Sequence, residues 1–181
     1  MKSETIEQYQ KIVGQCKEIF EKKTKDYGTA WRVLRLPSMT DQIFIKAQRI
    51  RSIQEKGTQK IDENIESEFY GIINYCLIAL VQMQLTDTDP MELPYEFVGP
   101  KYDEAAKNTL ELLTNKNHDY GEAWRDMRVS SMTDIILMKL FRVKQIEDNQ
   151  GKTLISEGVD ANYQDIINYS VFCLIKLGEE K

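Results

Sequence analysis

Residues 26–49 read DYGTAWRVLRLPSMTDQIFIKAQR and residues 119–142 read DYGEAWRDMRVSSMTDIILMKLFR. At a constant offset of 93, fourteen of these 24 positions are identical, where unrelated segments share about one or two on average residue usage. The chain is a duplication, and its elements have to be read in pairs. After one inserted residue the match resumes at an offset of 94, with Ile72-Ile73-Asn74-Tyr75 against Ile166-Ile167-Asn168-Tyr169. Working outward, Tyr9 and Tyr102 mark the start of each copy. The copies cover residues 1–85 and 101–181. Between them lies the segment 86–100, TDTDPMELPYEFVGP, with three of the four prolines, Pro90, Pro94 and Pro100. Proline lacks the backbone donor and clashes with the preceding turn, so this stretch predicts an ordered, non-helical linker.

Each copy predicts the same three helices. The first covers about 4–22 and about 101–115, with Ile6, Tyr9, Val13, Cys16, Ile19 and Phe20 at three-to-four spacing. The polar KKTKDYG and TNKNHDYG segments end it, because Gly28 and Gly121 are free to take the positive φ of a helix C-cap. A short helical turn through Trp31 and Trp124 follows. Ser38-Met39-Thr40-Asp41 and Ser131-Met132-Thr133-Asp134 supply the residue types that cap free N–H groups, which predicts second helices over about 39–56 and 132–147. The third, about 64–84 and 160–177, is apolar almost all round and reads as a buried central element. No alternating pattern predicts a strand. The fold expected is all-α, two pseudo-symmetric three-helix units packed into one bundle, neither stable without the other.

Composition bounds the function. Of 181 residues, 24 are Lys or Arg and 29 Asp or Glu, a net charge of −5, and the isoelectric point is about 5.1. That balance opposes an extended grip on nucleic acid or an anionic membrane. No stretch approaches the roughly 20 apolar residues that span a bilayer, and the polar start MKSETIEQYQKIVGQ lacks a signal-peptide core. The expected location is cytoplasmic. Cys16, Cys76 and Cys173 are odd in number and far apart, which reads as core thiols, and His118 is the sole histidine. That count leaves no zinc-protease motif and no histidine-rich metal cluster. No phosphate-loop, dinucleotide or nucleophile-elbow motif occurs.

The residues able to carry chemistry are few. Lys46 and Arg49, repeated as Lys139 and Arg142, fall on or beside the buried stripe Met39, Ile43, Ile50 and Ile53 and its counterpart Met132, Ile136, Val143 and Ile146. A buried cation needs an anion, from the protein as a structural salt bridge or from a ligand phosphate, to which a Lys point charge and an Arg fork are suited. Asp165 and Asp134 are the candidate catalytic carboxylates. Asp160 with Asp165 is the candidate Mg²⁺ set, one or two carboxylates completed by water and substrate phosphate. Asn74 and Asn168 lie in the most apolar helix, where an amide serves a core network or reads a base edge. Asp119, Tyr120 and Trp124 complete the candidate ligand residues, with Tyr27 and Trp31 as further stacking surfaces. Asp119, Glu122 and Asp126 sit at i, i+3 and i+7, an acidic face that reads first as a partner for Arg125 and Arg128.

The string D-Y-G, a tryptophan, K-x-x-R and an acidic residue ahead of D-I-I-N-Y resembles the nucleotide-modification-associated domain 1 family, helical proteins of bacteria and phages. In the second copy the resemblance runs through Asp119, Tyr120, Gly121, Trp124, Lys139, Arg142, Asp160, Asp165 and Tyr169. The first copy departs from it, with Gly71 in place of Asp165 and Glu66 in place of Asp160. The resemblance implies a nucleotide-linked role. The units also look similar, more distantly, to all-α nucleoside triphosphate pyrophosphatases, whose E-x-x-E then E-x-x-D carboxylate set is reproduced in neither copy. The function expected is a nucleotide-binding protein tied to nucleotide or DNA-base modification, including nucleotide phosphohydrolysis. The competing expectation is a non-catalytic helical interaction module in which the Lys, Arg and Asp network is architectural. In either case the copies could also pair across chains as a homodimer. A shared, asymmetric pocket is expected, with copy two as the acid/base or metal side.

Overall fold

The computed structural model describes residues 1–56 and 65–181, apart from the side chains of residues 117–120. Six helices run through the described residues: α1 (Ser3–Tyr27), α2 (Leu36–Lys56), α3 (Ile65–Gln84), α4 (Tyr95–Tyr120), α5 (Val129–Asp148) and α6 (Val159–Glu179). One-turn 3₁₀ segments, Ala30–Val33 and Ala123–Asp126, carry the two tryptophans. Each copy is thus three helices in the same order, an internally duplicated all-α bundle.

Two boundaries differ from the sequence reading. Helix α1 continues to Tyr27, past the polar run. Lysines on a solvent-facing flank are good helix formers, and only Gly28, at φ 62°, turns the chain while its N–H bonds the Thr24 carbonyl at 2.8 Å. Gly28 also has no room for a side chain, since a Cβ there would stand 1.9 Å from Glu92 Oε1. Helix α4 starts at Tyr95, inside the stretch expected to be a linker, and contains Pro100. Gly99 ahead of it lacks the Cβ that would clash with the proline ring in a helical conformation, and the turn buries Val98 and Tyr102 completely.

The capping expectation also changes. Helix α2 begins at Leu36 and α5 at Val129, so the Ser-Met-Thr-Asp segments lie inside the helices. Thr40 and Thr133 turn their hydroxyls back on the carbonyls of Leu36 and Val129, at 3.2 and 3.1 Å.

Helices α2, α3, α6 and α5 pack each on the next in a closed ring, and α1 and α4 lie across α3 and α6. The ring's core includes Met39, Ile43 and Ile50 with Met132, Ile136 and Val143, all fully buried. The three cysteines are free and buried in the same core.

Two buried asparagines tie the copies together. The Tyr9 hydroxyl donates to Asn168 Oδ1 at 2.7 Å and the Tyr102 hydroxyl to Asn74 Oδ1 at 2.6 Å. Each asparagine amide then donates to a carbonyl of its own copy's first helix, Asn74 to Cys16 at 3.1 Å and Asn168 to Thr109 at 3.5 Å. All four bonds obey the duplication, as does a second pair on the α2–α5 seam. There Lys144 meets Asp41 at 2.7 Å and Arg51 meets Asp134 at 3.6 Å.

Candidate functional site

A cleft of about 780 Å³ lies in copy one, between the C-terminal half of α1, the Trp31 turn and the stretch of α3 from Glu66 to Ile78. Aromatic side chains wall it: Phe20, Tyr27, Trp31, Tyr70 and Tyr75. Lys23 from α1 and Lys46 from α2 supply ammonium groups, and Glu66, Ser67 and Gly71 come from α3. At Gly71 a Cβ would stand 3.1 Å from Lys46 Cδ and 3.2 Å from its Nζ, so the lysine stem lies against bare backbone. Among the described residues Lys46 pairs with Glu68 at 3.5 Å, which it shares with Arg49 at 3.1 Å. Lys23 makes no ion pair among the described residues. Glu66 is paired with Lys181 at 2.9 Å.

The corresponding place in copy two is filled. Asp165 stands where Gly71 does, and its carboxylate is held by Lys139 at 2.6 Å and by Lys116 at 3.2 Å. Lys116 and Lys139 are the duplicates of Lys23 and Lys46. Phe172 stands where Ile78 does, and its ring stacks on Trp124 at 4.2 Å between centroids and 4° between planes. Trp124 is thereby buried, whereas Trp31 stays half-buried at the cleft.

The remaining candidates do not converge. Asp134 is exposed and faces Arg51 of copy one, while Asp165 faces its two lysines. Asp160 is exposed at the first turn of α6. No group of three or more His, Cys, Asp or Glu able to hold a metal occurs among the described residues. Asp165 bridges Lys116 and Lys139, and Lys116 also meets Glu157 at 3.8 Å, so a Mg²⁺ on Asp165 would have to displace both ammonium groups. Asn168 is engaged in the core by the Tyr9 hydroxyl and the Thr109 carbonyl, whereas its equivalent Asn74 also lines the copy-one cleft. Arg142 is exposed and makes no ion pair among the described residues. With Lys139 and Lys152 it lines a second, shallower depression of about 660 Å³ against residues 153–157. The side chains of His118, Asp119 and Tyr120 lie outside the described residues.

Of the acidic face in copy two, Glu122 is structural. Glu122 accepts from the Thr5 hydroxyl at 2.6 Å, the Lys2 N–H at 3.0 Å and Arg125 at 2.6 Å. Burial alone would push its carboxyl up, but these donors outweigh it and hold it at about 2.

Sequence reasoning passed over Lys23, Tyr70, Tyr75 and the role of Ile78. The available signal was a difference of size, Ile78 against Phe172, together with a lysine kept at 23 and 116. Charge and the family motif drew attention to Asp165, which the structure pairs with Lys116 and Lys139.

A family model for nucleotide modification associated domain 1 matches residues 23–83 and again residues 116–177. No curated protein and no solved structure matches the chain. Each match runs from the end of one copy's first helix through most of its third, the elements that build the cleft in copy one and its filled counterpart in copy two. The chain therefore belongs to the nucleotide modification associated domain 1 family, with the domain present twice in tandem.

Proposed function

We propose that this protein binds a nucleotide in the copy-one cleft. The observation that carries the reading is the lining: rings of Tyr27, Trp31, Tyr70 and Tyr75 share one cavity with the ammonium groups of Lys23 and Lys46. Every nucleobase has a π-face that stacks on such rings, and the phosphate is the anion that suits two lysines. A volume of about 780 Å³ is within the range of small-molecule sites. Glu66 is the carboxylate on the lining, and it is engaged by Lys181. The reading is therefore of binding, with hydrolysis left out of it.

Thermal unfolding with a panel of nucleosides and nucleotides tests it. A ligand present at 100 Kd that binds only the folded state stabilises it by about 2.7 kcal/mol. Lys46→Ala should abolish that shift, and Lys139→Ala, at the filled counterpart, should leave it in place. No shift with any member of the panel would reject the reading.

A further inference from the structure

We propose that copy two holds an internal imitation of the ligand, and that this imitation defines the ligand of copy one as a nucleoside 5′-di- or triphosphate. The inference rests on the nucleotide reading above and adds to it the size of the phosphate chain.

Both side chains that fill the second cleft resemble parts of a nucleotide in chemistry and in place. The Asp165 carboxylate is an anion between Lys116 and Lys139, at 3.2 and 2.6 Å. The Phe172 ring is a flat π-surface lying parallel to Trp124, 4.2 Å away. Copy one keeps every receiving group, Lys23, Lys46 and Trp31, and all three line its cleft. It lacks both occupants, having Gly71 and Ile78 instead. An anion between Lys23 and Lys46 and a ring on Trp31 would restore in copy one the contacts that copy two makes with itself.

Spacing then selects the ligand. Asp165 and Phe172 are seven residues apart on one helix, about 10 Å along its axis. Gly71 and Ile78 have the same separation on α3. A nucleoside has no anion to offer, and the single phosphate of a monophosphate lies too close to its base to span two helical turns. A second or third phosphate reaches.

Calorimetric titration of the full-length protein with nucleosides and their 5′-mono-, di- and triphosphates tests the proposal. The wild type should take one equivalent of di- or triphosphate, and the monophosphate should bind at least about tenfold more weakly. The D165G/F172I variant, which empties the second cleft, should take a second equivalent. The reverse variant, G71D/I78F, should keep its helical circular dichroism and lose binding. Monophosphate affinity equal to that of the triphosphate would overturn the assigned span and leave nucleotide binding standing. A folded D165G/F172I protein that still takes one equivalent would overturn the imitation. If that variant does not fold, G71D/I78F decides, because wild-type affinity there overturns the imitation as well. No binding of any nucleotide to the wild type would instead remove the nucleotide reading and the imitation together.

Discussion

Copies one and two share a backbone plan and most of a motif, yet they treat the same internal space in opposite ways. In copy two, Asp165 satisfies two lysines and Phe172 covers its tryptophan. In copy one, Gly71 and Ile78 leave the lysines and the rings facing a cleft. Interior charges must be paired, so copy two reads as the half that completes its own electrostatics and copy one as the half that can accept an anion from outside. At the third helix they differ at Gly71 against Asp165, at Ile78 against Phe172 and, in the wall of the cleft, at Tyr70 against Gln164.

The comparison can be broken most severely by cutting it. Residues 1–85 or 95–181 alone should give no folded monomer, because Tyr9, Tyr102, Asn74 and Asn168 are each satisfied across the copy boundary. A cooperative melt and a monomeric sedimentation coefficient for either half would refute this. Next in size is the contrast between the two anions. Asp165→Asn leaves Lys139, with only 14 % of its side chain exposed, poorly compensated, and should cost about 3 kcal/mol in denaturant unfolding. Glu68→Gln faces more exposed partners and should cost less than about 1 kcal/mol.

The asparagine bonds give a finer measure. Asn74→Ala should cost about 2–3 kcal/mol by stranding the Tyr102 hydroxyl, and Asn168→Ala somewhat less, since its bond to Thr109 is the longer one. Equal losses would show that the two amide-to-carbonyl bonds contribute alike despite their different lengths.

Acid should act through copy two's junction with the N-terminus. Glu122 is held at about 2, below the ordinary value near 4.3. A depressed carboxyl contributes stability above its unfolded pKa and loses it as pH falls, here between about pH 4.3 and 2. Glu122→Gln should flatten that part of the stability curve, and an unchanged acid limb would argue against the assignment. A small effect of opposite sign is expected at Glu147, the counterpart of Gln54. Gln54 donates to Thr133 at 3.1 Å, whereas Glu147 Oε2 is buried with no partner among the described residues. Burial raises the Glu147 carboxyl, against weaker opposing effects of Thr40 and Lys144. A raised carboxyl contributes most below its ordinary pKa and loses that contribution as pH rises. Glu147→Gln should therefore stabilise the protein by about 1 kcal/mol at pH 7, with no gain at pH 4.

The sequence by itself determined the duplication, the helical class and the paired roles of Tyr9 with Tyr102 and Asn74 with Asn168 as equivalent positions. Identity at a fixed offset and three-to-four periodicity are local properties, and they survive without coordinates. It also marked Lys46 and Lys139 as cations in need of anions. Helix ends were read less well at the polar run before Gly28 and at Pro100, because propensity is a weak guide where a flank is solvated or a turn is buried. Only the tertiary structure decided which copy is open. Whether a charge is satisfied and whether a ring is covered depend on side chains brought together from helices far apart in the chain. Lys116 meets Asp165 across 49 residues, and Trp124 meets Phe172 between the 3₁₀ turn and α6. Those distances are set by packing, and packing made the conspicuous carboxylate of copy two the partner of two lysines and the plain glycine of copy one part of the lining of a cleft.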